Sequence, residues 1–288
     1  MQALKYQRAT TIDQAVQLLA DSGPAGHVLA GGTDIIVQAR ARRIDVDLLV
    51  DVKGIPELSQ LAYDSNTGLT IGAALPCYRI YADADVQQHY PALVDSTSLI
   101  GGTAIQGRAS IGGNLCNASP SADAIPTMIV LEGTATIAGP NGARDVSVED
   151  FCTGPGQSVL QPGEVLVSIH FPPPAADSGA RFLRFIPRNE MDIAVVNSAS
   201  ALRFDGDTVS WARVAVGAAA PTPLLVAAAA DALVGQPLTD DSIAAAATAA
   251  REATSPIDDM RGTIKQRRHL AAVLTERTLR GAAERAGR

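Results

Sequence analysis

Cysteine is scarce in this chain, with three among 288 residues, and aromatic residues make up only 4%, with a single tryptophan. Cys77, Cys116 and Cys152 lie far apart, form no CxxC pair and follow no secretory leader. That pattern speaks against a disulfide framework and leads us to expect a reducing cytoplasm. It also leaves no resident iron–sulfur cluster, which takes four organised thiolates. Basic side chains are in deficit, 23 Lys and Arg against 30 Asp and Glu, for a net charge of −7. A nucleic-acid-binding face needs the opposite balance. No apolar run approaches the roughly 20 residues that span a bilayer. His27, His89, His170 and His269 show no metal-ligand spacing, and no G-x-S-x-G elbow or G-x-G-x-x-G turn occurs.

What remains is ample apolar material, 47% hydrophobic residues, in a chain long enough for two domains. The first fifty residues alternate strand and helix. Thr11-Ile12-Asp13-Gln14 has the form of a capping box, with Ile12, Ala15, Val16 and Leu19 on one face and Gly23-Pro24 as a stop. Strands at His27–Ala30 and Leu48–Val52 flank a helix over Ile35–Arg43, a pattern that favours a small parallel sheet.

From about residue 54 the pattern changes to short strands and turns, with turn signals at Asn66-Thr67-Gly68 and Asn141-Gly142. A strand over Glu164–Phe171 ends at Pro172-Pro173-Pro174, the best domain boundary. His170 alternates into this strand and reads as a satisfied core or edge residue. Beyond the boundary a hairpin is expected over Ile193–Phe204 and Thr208–Gly217, around Asp205-Gly206-Asp207. Helices are expected near 222–234, 240–253 and 261–286.

Two glycine-rich turns carry the chemistry. After the strand ending at Ala30, Gly31 and Gly32 open backbone conformations closed to other residues, so their amides and those of Thr33 and Asp34 can converge on a phosphate. The Asp34 carboxylate suits a cap or a hydroxyl better than a phosphate. A tight turn with no ligand fits this motif equally well. The second segment, Ser110-Ile111-Gly112-Gly113-Asn114 and onward to Asp123, concentrates glycine, hydroxyls and amides as a polar cofactor site requires. The stretch Gly102–Ala109 imitates a P-loop but lacks its Lys and Ser/Thr.

At these residues the sequence resembles the FAD-binding medium subunit of bacterial molybdenum hydroxylases. That family includes carbon monoxide, nicotine, caffeine and quinoline-type dehydrogenases, and the flavin domain of xanthine dehydrogenase is similar. The resemblance covers essentially the whole chain. It rests on Ala30–Asp34, Ser110–Asp123, Gly163–Ile169 and Arg184-x-x-x-Arg188-x-x-x-Asp192-Ile193-Ala194.

The resemblance implies an α+β fold: a two-lobed FAD-binding domain of the vanillyl-alcohol-oxidase type (PCMH), then a small antiparallel sheet with helices. The domains would be 1–174, with lobes about 1–54 and 55–174, and 178–288. It implies that Val28, Leu29, Ala30, Gly31, Gly32, Thr33, Asp34 and Ile35 wrap the pyrophosphate. Ser110, Ile111, Gly112, Gly113 and Asn114 would complete the cradle. Asn117 and Asp123 would bond the ribityl and phosphate region, and Ile100 and Leu166 would enclose the adenine. Cys116, Arg184, Asp192 and Ile193 would lie near the isoalloxazine. Many members carry Lys where this chain has Arg184. The lesser reading of Arg184 is a surface cation in a basic loop, and Cys116 reads equally as a space-filler.

The implied activity is electron relay through non-covalent FAD, with no catalytic side chain and no metal on this chain. A large subunit would carry the molybdenum cofactor and a small subunit two iron–sulfur clusters, in a dimer of heterotrimers. A free-standing flavin oxidase of the same fold and a ligand-free scaffold subunit are the rival readings.

Overall fold

Thr11 caps the first helix in the computed structural model, which describes residues 4–189 and 191–288. The first three positions of the expected 1–174 domain lie outside the described residues. Thr11 Oγ1 accepts from the Gln14 amide at 3.2 Å, but Gln14 Oε1 reaches back to the Thr10 amide, at 2.8 Å, rather than to that of Thr11. The first lobe runs β1 (Lys5–Arg8), α1 (Ile12–Ser22), β2 (Gly26–Leu29), α2 (Ile35–Arg40) and β3 (Leu48–Asp51). Its sheet is parallel, in the order β1-β3-β2. The central strand β3 is buried along its whole length, as its unbroken apolar run Leu48–Val50 requires.

The second lobe is an antiparallel sheet in the order β4-β5-β10-β6-β7. Its strands are β4 (Leu61–Asp64), β5 (Gly68–Gly72), β6 (Thr134–Gly139), β7 (Gly142–Ser147) and β10 (Val165–Phe171), with a small hairpin of β8 (Cys152–Gly154) and β9 (Gln157–Ser158). Both expected turns close hairpins, and Gly68 and Gly142 take the positive φ these turns need, 102° and 105°. Six short helices separate β5 from β6: α3 (Cys77–Tyr81), α4 (Ala84–His89), α5 (Pro91–Thr97), α6 (Thr103–Gln106), α7 (Ile111–Cys116) and α8 (Ala124–Val130). They pack Leu93, Ile111 and Met128 onto Ile71, Ile137 and Ile169 of the sheet. His170 is half-buried, with Nδ1 3.1 Å from Thr70 Oγ1 on the next strand. The two lobes share a core in which Leu19, Val50 and Ile55 meet Val165 and Val167.

After Pro172–Pro174, β11 (Ser178–Phe185), β12 (Val196–Asp205), β13 (Thr208–Gly217) and β14 (Leu224–Leu225) form a second antiparallel sheet. The hairpin turns at Gly206, whose φ is 56°. One face puts Phe182 and Ala199 into the core of the second lobe. The other packs Val196 and Leu202 against α10 (Asp240–Ala253) and α11 (Ile264–Arg285). The helix expected near 222–234 is reduced to α9 (Ala227–Asp231), and Leu224–Leu225 instead pairs with Ala215 and Val216. Pro221 and Pro223 explain the difference, since proline removes a donor and drives the residue before it to extended backbone. The last helix starts at Ile264, where Thr263 Oγ1 accepts from the Gln266 amide at 3.2 Å.

Candidate functional site

Both glycine segments reach one cleft of about 640 Å³ between the two lobes. From the first lobe Val28 and Ala30 to Ile35 line it, with Gly32 in the left-handed region at φ 82°. The first segment is pressed directly on the second lobe. A Cβ on Gly31 would lie 2.0 Å from the Arg108 carbonyl oxygen, and Arg108 Nε donates to the Gly31 carbonyl at 3.1 Å. Glycine is therefore required for the close approach of two backbones.

The second glycine segment is not a turn but the start of a helix. Ser110 is the N-cap of α7, and its Oγ accepts from the Gly113 amide at 3.0 Å. A Cβ on Gly112 would meet the Ala73 carbonyl oxygen at 2.3 Å, so this glycine lets α7 sit against the end of β5. Ser110, Gly112, Gly113, Asn114, Cys116 and Asn117 line the cleft, joined by Ile100 and Leu166. Asn114 Oδ1 accepts from the Ala124 amide at 3.1 Å, and Asn117 Oδ1 from Gln38 Nε2 at 3.2 Å across the lobes. Cys116 is half-buried on the cleft wall, and desolvation pushes its thiol up to about 12, which favours the neutral form.

Six expected site residues do not line the cleft. Leu29 alternates with Val28 on β2 and points into a small core with Ala39, Val46 and Leu49. Ile111 faces the core of the second lobe and is fully buried. Asp192 bonds Arg188 in the loop before β12, at 3.1 and 3.2 Å, and Ile193 beside it is exposed. Arg184 and Asp123 form a buried ion pair between β11 and the start of α8, with Nη1 2.5 Å from Oδ2. Arg184 is thus an interior cation and not a surface one. Burial raises the Asp123 carboxyl to about 6, against the opposing pull of Arg184.

The cleft also uses residues that sequence reasoning passed over. Gln38 lies one turn after Ile35 on α2, a spacing that could have revealed it. The segment Leu160–Glu164 forms another wall. Arg144 holds Glu164 through two 2.8 Å bonds, and Glu164 Oε2 accepts from the Gln161 amide at 2.7 Å. Gly163 already stood in a quoted motif, but only the fold brings that turn to the cleft.

Among the described residues, no Lys or Arg lines the cleft, while Asp34 and Glu164 do. A phosphate there must rely on backbone N–H groups and not on side-chain charge. Asp123 Oδ1, outside the cleft lining, is a buried acceptor left without a hydrogen bond beside the Asn197 side chain. A long ligand whose diphosphate is held by backbone amides fits a cleft of this size and charge. Among the described residues there is no cluster of His, Cys, Asp or Glu that could hold a metal. No helix among them is long and apolar enough to cross a membrane.

The domain family described as FAD binding domain in molybdopterin dehydrogenase matches residues 2–174, more than half of the chain. The chain belongs to that family. Residues 181–282 match the CO dehydrogenase flavoprotein C-terminal domain. The xanthine dehydrogenase FAD-binding subunit of Escherichia coli O157:H7 is 33% identical, over 98% of this chain and 97% of that protein. A carbon monoxide dehydrogenase structure from Hydrogenophaga pseudoflava, lacking the Mo-pyranopterin moiety, superposes with a TM-score of 0.95 at 31% identity, covering 99% of this chain and 98% of that one. Quinoline 2-oxidoreductase from Pseudomonas putida 86 gives 0.91 at 30% identity, covering 99% and 98%. This family's fold is the two-lobed FAD-binding domain with a small C-terminal domain, and its members are flavoprotein subunits of oxidoreductases.

Proposed function

We propose that this chain is the electron-transfer subunit of a molybdenum hydroxylase and holds one non-covalent FAD in the inter-lobe cleft. The observation that carries this reading is the backbone contact of Gly31 with Arg108, which closes the two glycine segments around one cleft. When bound, the flavin supplies the redox chemistry, accepting two electrons and passing them on one or two at a time. The chain's own residues bind and orient it. The amides of Gly31–Asp34 and of the first turn of α7 would face the diphosphate. Ile100 and Leu166 would enclose the adenine, and Asn117 and Asp123 would serve the ribityl and phosphate region. Asp192, Ile193 and Cys116 would border the isoalloxazine end. Arg184 would act through Asp123, because the pair is already made in the interior.

The division into 1–174, with its two lobes, and 178–288 belongs to the same proposal. So do a large molybdenum-cofactor subunit, a small subunit with two iron–sulfur clusters, assembly as a dimer of heterotrimers, and a cytoplasmic location. The relatives' names support companion chains, since they call the matching proteins subunits or medium chains. The test is the visible spectrum and acid-released flavin of the protein purified from its own cells. One FAD per chain is expected; absence of flavin from an intact, folded preparation would sink the proposal.

A further inference from the structure

A second cavity, of about 370 Å³, opens on the far side of the Pro172–Pro174 connection, where the C-terminal sheet runs past the end of α8. Its apolar walls include Val130, Leu131 and Ala201, and its polar end holds Arg203 and Trp211. These two are direct cross-strand partners on β12 and β13, and the Arg203 guanidinium lies 5.1 Å from the centre of the indole. The neighbouring arginines are all satisfied. Arg285 bonds Asp95 and the Ala180 carbonyl, Arg181 bonds Asp95, and Arg213 bonds Glu149 and the Ile129 carbonyl. Arg203 is different: its Nε is buried with no acceptor, and among the described residues no carboxylate pairs with it.

A buried guanidinium N–H without an acceptor carries an uncompensated desolvation penalty. Stacking on Trp211 neutralises neither the charge nor the N–H. Nε is closed off, but among the described residues the two Nη groups of Arg203 make no hydrogen bond and stay open to a carboxylate. Glu132, on the cavity wall, adds a negative charge that disfavours multiply charged anions. Gln88, His89, Ser178 and the Asp95-paired Arg285 also line the cavity, and its apolar side, the indole and the one unpaired guanidinium favour a flat, singly charged ligand. We infer that this cavity is a binding site for a small aromatic monocarboxylate, held by Arg203 against Trp211, separate from the flavin cleft.

Trp211 is the only tryptophan of the chain, so its fluorescence reports on this cavity alone. The full chain is titrated with benzoate and, in parallel, with its neutral isostere benzamide. Benzoate is expected to give a saturable change with a Kd of about 1 mM, with benzamide at least about tenfold weaker. Arg203→Met should abolish the benzoate response and Arg203→Lys should retain part of it, with flavin content unchanged in both. Equal responses to the two compounds, no saturation, or full benzoate binding by a folded Arg203→Met protein would overturn the inference. The benzoate–benzamide comparison on the unmodified chain decides the matter even if a variant fails to fold.

Discussion

Gly31 and Arg108 meet backbone to backbone, with only 2.0 Å between an ideal Cβ on Gly31 and the Arg108 carbonyl oxygen. The contact joins the first lobe to the second beside the inter-lobe cleft. Gly31→Ala must therefore part the lobes or distort the turn. Overpacking of this kind costs about 1–3 kcal/mol. We expect at least a tenfold loss of FAD affinity (about 1.4 kcal/mol), read by equilibrium dialysis; unchanged affinity would show that the lobes do not close on the ligand here.

Two adjacent glycines in α7 should behave oppositely. Gly112→Ala drives a Cβ to 2.3 Å from the Ala73 carbonyl, which is fixed in the sheet connection. Gly113→Ala meets only the Ser110 hydroxyl at 3.2 Å, which need give by only a few tenths of an ångström and can keep its cap on α7. Gly112→Ala should lower stability by about 1–3 kcal/mol. Gly113→Ala should stay within about 1 kcal/mol, since alanine also favours the helix. Chemical denaturation checks both, and a reversed order would contradict the placement of α7.

The Asp123–Arg184 pair predicts an asymmetric mutational pattern. Arg184→Met leaves a buried carboxylate unpaired and should cost about 3–5 kcal/mol, whereas Arg184→Met with Asp123→Leu should cost markedly less. The pH dependence follows from the raised carboxyl, about 6 in the folded chain against 3.8 unfolded. The folded state then binds this proton more tightly than the unfolded one. Asp123 therefore contributes stability below about 4 that is lost as pH rises toward 6. Asp123→Asn should flatten that part of the difference curve; a parallel curve would mean that Asp123 is not buried.

Asp95 joins the C-terminal helix to the FAD-binding domain. It accepts from Arg181, from the Phe182 amide, and from Arg285 at 2.7 and 2.9 Å. Asp95→Ala should destabilise by about 3 kcal/mol and raise hydrogen exchange at the end of α11, because two half-buried cations lose their acceptor. Asp240, whose bond to Arg280 is exposed, serves as the control, with a loss below about 1 kcal/mol.

Local chemistry explains what could be read before the fold. Asn141-Gly142 and Asp205-Gly206-Asp207 specify tight turns by their backbone preferences, so both hairpins were visible. Alanine-rich stretches were less safe. Near 222–234 composition suggested helix, yet the prolines at 221 and 223 and the open edge of β13 made a strand of Leu224–Leu225. Ser110 to Asn114 read as a turn because glycine weakens helix propensity. The contact of Gly112 with Ala73 outweighs that small preference.

By itself, then, the sequence determined the glycine segments, the parallel and antiparallel halves, and the polar run from Ser110 to Asp123, because each follows from short-range backbone preference and apolar period. Only the tertiary structure decided that Gly31 must touch Arg108, 77 positions away. It alone placed Arg184 in the interior against Asp123, turned Leu29 away from the cleft, and brought Leu160–Glu164 to its wall. These relations depend on excluded volume and on the burial of charge between distant segments, and neither leaves a mark in the local order of residues.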